Sequence, residues 1–192
     1  MENGTIVIAI LVAAGVAVAA WFIWRSKRHK ALVRRYGPEY ERVVRDVGNP
    51  SRADRELEAR EKRVSGFKLR ELNPEERERY LGEWARIQQL FVDQPAQAVT
   101  SAHELLMALM RDRGYPDSPL EQRQQDLSVH YPNLIDSYRN ACAVAQVPAT
   151  SGAANTERLR MATIHYRTLF NALLNDATTG RDEVPERQEV AS

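Results

Sequence analysis

One cysteine, Cys142, is all that 192 residues contain, so no intramolecular disulfide can form and no cysteine-based zinc cage can be assembled. Other absences narrow the chemistry further. There is no Gly-rich phosphate loop, no G-x-S-x-G elbow and no Asp-rich calcium loop. No segment alternates apolar and polar residues for long, and no hairpin dipeptide separates two β-branched runs, which excludes a sheet of ordinary construction. Hydrophobic residues at 43% and charged residues at 28% suit a folded domain, because a chain poorer in apolar side chains could not offset the entropy of ordering.

Charge of one sign is missing in one place. Arg25, Lys27, Arg28, Lys30, Arg34 and Arg35 fall together with no acid among them, and setting those six aside takes the formal charge from +1 to −5. The remainder is therefore slightly acidic and lacks the basic face of a nucleic-acid binder; no nucleic acid is expected as a partner.

Immediately before this cluster, residues 5–24 read TIVIAILVAAGVAVAAWFIW, twenty residues without a charge. At a helical rise of ~1.5 Å per residue that length matches the ~30 Å hydrocarbon core of a bilayer. The run predicts a transmembrane helix, with Trp21, Phe22 and Trp24 at the membrane interface and the six cations in contact with anionic headgroups. A cleaved leader would carry its cations before the apolar run, whereas only Glu2 precedes this one. By the positive-inside rule the N-terminus lies outside and the remaining chain in the cytoplasm, so the expected location is a bacterial inner membrane. Gly15 and Ala19 form a small-xxx-small pair that could support a homodimer, although an alanine-rich helix produces such pairs by composition.

Beyond residue 35 the signals are helical throughout. Gly37–Pro38 and Gly48–Asn49–Pro50 mark breaks, and Ser51 with Asp54 resembles a capping box opening a charged helix whose few apolar positions are Ala53, Leu57 and Val64. Asn73–Pro74–Glu75–Glu76 opens the next, with Tyr80, Trp84, Ile87 and Phe91 on one face. Pro95 separates it from a helix carrying Ala98, Ala102, Leu105 and Leu109, which Gly114 stops. Ser118 to Glu121 predicts a further cap, with a helix from Pro119 to about Val129. Pro132 opens another helix, carrying Leu134, Tyr138, Ala141 and Ala145. A last helix from Thr156 to about Asp176 shows Leu159, Ala162, Tyr166, Leu169 and Leu173.

The fold class expected is all-α: an N-terminal transmembrane helix followed by a small cytoplasmic helical bundle. The segments are a tip at 1–4, the span at 5–24, a basic juxtamembrane helix at 25–35, a charged connector at 36–72, the bundle at 73–176 and a disordered tail at 177–192.

Catalytic residues are hard to nominate. The stretch HELLM at His103 begins like a zinc-protease helix, but Met107 occupies the second ligand position, so no metal or other cofactor is expected. Cys142 lies on an apolar helix face, where a thiol behaves as a small hydrophobe. Asp126, His130 and His165 are the candidates for a polar pocket, provided that the fold brings them together.

The stretches YGPEYERVV (36–44), FVDQPAQAV (91–99), RGYP (113–116), DLSVHYP (126–132) and MATIHYRTLF (161–170) resemble an uncharacterised family of bacterial single-span membrane proteins with a helical soluble domain. That resemblance implies the same architecture and no activity. The function expected is a protein-interaction or scaffold module held at the membrane face, with the lipid bilayer and a protein partner or second copy as its contacts. The alternative is a tethered enzyme or small-ligand binder using Asp126, His130 and His165.

Overall fold

In a computed structural model, the backbone is described for residues 2–146 and 153–176, and the side chains for 15–146 and 155–176. The described residues form eight helices and no strand: α1 (Glu2–Tyr36), α2 (Pro38–Val47), α3 (Pro50–Val64), α4 (Pro74–Asp93), α5 (Pro95–Asp112), α6 (Leu120–His130), α7 (Ile135–Ala145) and α8 (Ala153–Asn175). The all-α expectation holds. The chain divides into two compact units, Met1–Arg60 and Glu61–Ser192, and the division falls inside α3.

The membrane span is corrected. Among the described residues no helix is long and apolar enough to cross a membrane. Moreover, α1 does not end with that run but continues through the cations to Tyr36.

In the first unit, α1 stops where Gly37 adopts φ 49°, and Pro38 then occupies the first position of α2. Leu32, Tyr36, Tyr40, Val43, Ala53 and Leu57 make its small core, so the charged helix α3 does rest on one narrow stripe. Its cap differs from the reading of the sequence. Asn49, not Ser51, accepts from the backbone N–H groups of Ser51 (2.8 Å) and Arg52 (3.3 Å), because Pro50 starts the helix one residue earlier.

The second unit is built around α5. Ala98, Val99, Ala102, Leu105, Leu106, Leu109 and Met110 are all buried, a stripe wide enough to be covered by α4 and α8, with α7 against α8. Trp84 of α4 stacks on Phe170 of α8 with centroids 4.8 Å apart. The cap of α4 forms as expected: Asn73 Oδ1 accepts from Glu76 N–H at 2.8 Å while Glu76 accepts from Asn73 N–H at 2.9 Å. Arg70 also pairs with Glu76 and, with the cap, holds its carboxyl down to about 2. Ser118, by contrast, makes no cap for α6, whose first residue is Leu120 after Pro119. Likewise α7 begins at Ile135 rather than Pro132, and α8 at Ala153 rather than Thr156. The small and polar stretch VPATSGAAN at 147–155 reads as a linker; its residues 147–152, like the tail at 177–192, lie outside the described residues, whereas Ala153 to Asn155 belong to α8.

One close approach fixes the connector between α3 and α4. Arg70 N–H donates to Arg113 O at 3.0 Å, and the chain at Lys68 passes so near Gly114 that a Cβ there would stand 2.2 Å from Lys68 O. Gly114 also has φ 93°, a conformation that L side chains rarely adopt.

Candidate functional site

The aromatic and cationic segment of α1 is exposed from residue 15 to 28, with Trp21, Phe22, Ile23 and Trp24 between 53% and 67% accessible. Arg25 lies over the Trp21 ring and Arg28 over Trp24, each at 5.5 Å. These two guanidinium groups are also engaged within their own unit. Arg25 Nη2 donates to Ser51 Oγ at 3.0 Å, and Arg28 Nε to Glu58 Oε1 at 2.6 Å. Beside them His29 Nδ1 lies 3.1 Å from Asp54, which also accepts from the Tyr40 hydroxyl at 2.9 Å. Burial, and then Asp54, push the Tyr40 phenol up to about 12, so it stays a donor at neutral pH.

The remaining cations divide by helical position. Lys27, Lys30 and Arg34 recur at i, i+3 and i+7, one stripe that continues Val16, Ala20 and Ile23. Leu32 and Tyr36, which enter the core, lie on the opposite side of α1, and Arg35 lies over the Tyr36 ring. The cluster that looked uniform in the sequence thus has an inward pair and an outward row.

Of the three residues nominated for a polar pocket, two are brought together and one is not. Asp126 and His130 are one turn apart on α6. Asp126 is buried and accepts from Arg63 Nε at 2.7 Å, and His130 Nδ1 meets the Tyr115 hydroxyl at 2.7 Å. Nearby, the Tyr131 hydroxyl donates to Asp176 Oδ2 at 2.6 Å, and the Arg113 guanidinium stands 4.0 Å from the same oxygen. Burial pushes both Tyr115 and Tyr131 well above the usual phenol value, so both remain protonated donors. His165 is on α8, half-buried, next to Tyr166. The Tyr166 hydroxyl meets a different histidine, His103, at 3.1 Å from Nδ1. The contacts of Asp126, His130 and Tyr131 tie the end of α3, the turn after α5 and the residue after α8 to α6 and the turn that follows it, which is a fastening. Among the described residues no group of three or more His, Cys, Asp or Glu side chains could hold a metal.

The arrangement that sequence reasoning missed is a cavity of about 190 Å³ between α5, α6 and α7, lined by Thr100, His103, Leu120, Arg123, Cys142, Ala145 and Gln146. Burial, and then Arg123, push the His103 imidazole below its ordinary value, so it is neutral at pH 7. Its Nδ1 stands within hydrogen-bond distance of the Tyr166 hydroxyl, which fixes the ring. The thiol of Cys142 is pushed up by burial, while the Tyr138 and Tyr166 hydroxyls lie against its sulfur. It is therefore a protonated wall of the cavity and not an activated nucleophile. Arg123 brings the one charge to the lining; its Nη2 donates to Ser118 O at 2.6 Å and stands 3.6 Å from the exposed Asp117.

Compared with known proteins, the chain matches no family model, no curated protein and no solved structure.

Proposed function

We propose that this chain is a helical interaction module that docks on an anionic lipid surface through α1, holding the α4–α8 bundle beside it. The reading rests on one observation, the exposed rings of Trp21 and Trp24 followed by the outward row of Lys27, Lys30 and Arg34. Indole rings favour the headgroup boundary, where an apolar body and a polar edge are both satisfied. Cations held against an anionic surface contribute about 1 kcal/mol each, so three give roughly 3 kcal/mol, or about two decades in affinity. Arg25 and Arg28 contribute less, because Ser51 and Glu58 already engage them.

Vesicle flotation of the full chain tests this. Recovery should rise with the fraction of phosphatidylserine, fall with added salt, and drop more for Lys27→Gln/Lys30→Gln/Arg34→Gln than for Arg25→Gln/Arg28→Gln. Recovery independent of anionic lipid, or equal for the two sets of variants, overturns the reading.

A further inference from the structure

We propose that the cavity between α5, α6 and α7 binds a small organic anion, a carboxylate with a short apolar body. Its volume of about 190 Å³ is below the ~300–1,000 Å³ of sites for drug-sized ligands and equals about six waters at ~30 Å³ each, which sets the ligand at about six heavy atoms. Leu120, Ala145 and the Cys142 thiol give an apolar wall, while Thr100, His103 and Gln146 supply neutral hydrogen-bonding groups. Charge decides the class. Arg123 lines the cavity and no aspartate or glutamate does.

The surroundings of Arg123 hold it in place without neutralising it. The Ser118 carbonyl takes one of the five N–H donors, and Asp117, with 79% of its side chain exposed, is too well solvated to cancel the charge. The planar fork therefore keeps donors for a carboxylate, the geometry it fits best. His103 lines the same wall, and behind it Tyr166 fixes the ring.

The chain's sole cysteine makes this testable in the full-length protein, since methylthiolation by methyl methanethiosulfonate, which puts SCH3 on the sulfur as methanesulfinate leaves, reports on Cys142 alone. Butyrate should slow that reaction saturably, about tenfold at ten times its dissociation constant, because occupied cavity excludes reagent. Butyramide, of the same shape without the charge, should protect far less. In Arg123→Gln the protection by butyrate, read as the ratio of the rates without and with ligand in that same variant, should vanish. Ala145→Leu, which retains Arg123 but fills the edge of the cavity, should also lose protection, and a circular-dichroism melt of both variants establishes that they are folded. Equal protection by butyramide removes the role of charge, and equal protection by inorganic phosphate removes that of the apolar wall; either overturns the proposal. So does a thiol that butyrate leaves fully reactive, or one that reacts only on unfolding, since the cavity is then closed to molecules of this size.

Discussion

The two units hold themselves together by different means. Among the described residues, the first unit buries six apolar side chains, a small core, and surrounds it with polar contacts: Arg60 with Glu39 at 3.1 Å, both almost wholly buried, and Tyr40 and His29 on Asp54. In residues 61–192 the apolar set extends from Tyr80 to Leu174 and is far larger, with few polar contacts inside it, such as that of Tyr166 with His103. Small units gain too little from apolar burial to be specified by it alone. Directional contacts then choose among packings, at the cost of desolvating charge. The first unit should be sensitive to charge removal, and the second to volume and backbone.

The sharpest way to break this contrast is Gly114→Ala. A Cβ 2.2 Å from a backbone carbonyl, added at φ 93°, forces the connector away from the turn after α5, and the expected loss is at least ~3 kcal/mol. Urea denaturation followed by Trp84 fluorescence should show it, and hydrogen exchange should place the loss in residues 61–176 while the amides of α2 keep their protection. A parent-like midpoint means that the connector yields without cost.

Next in size is Glu39→Gln. It removes one charge from the buried pair and leaves Arg60 with Glu56 at 3.1 Å, at an expected cost of about 2–3 kcal/mol to the first unit. Faster exchange in α2 and α3 with α5 unchanged is the predicted pattern. Uniform loss across both units contradicts their independence.

The smallest effect is a pH dependence in the second unit. The folded-state value of His103 is depressed below its ordinary 6.5, so the unfolded chain binds the proton more readily. Its contribution to stability is fully present above about 6.5 and is lost as pH falls from there through the folded value. His103→Gln should flatten the slope of urea midpoint against pH between about 7 and 5. An unchanged slope assigns the dependence to other groups.

Much of the architecture was legible because helix boundaries are written in local chemistry. Gly37–Pro38, Asn73–Pro74 and Pro95 each combine a backbone constraint with a neighbouring cap or stop, and the stripes of α4, α5 and α8 follow the 3.6-residue period. The misplaced starts of α6 and α7 come from the same chemistry applied too freely: Ser118 and Pro132 are permitted at helix ends, but the loops around them take another course. The cavity was not legible at all. His103 and Tyr166 are far apart in sequence, and Cys142 and Arg123 come from two further helices, so their meeting depends on how α5, α6, α7 and α8 pack. The division of the α1 cations was legible in principle, since i, i+3 and i+7 spacing is visible in the letters. Which stripe faces inward required knowing where Leu32 and Tyr36 are buried.

The central position of α5 has a consequence for synthesis. One of its two main covers, α8, is the last of the described helices to be made. At ribosomal rates of ~5–20 residues per second, the roughly sixty residues between their ends take about 3–12 s to emerge. Throughout that interval Leu105, Leu106 and Leu109 stand without the side chains that later cover them, so a nascent chain truncated before α8 is the form of this protein that chaperones should recognise.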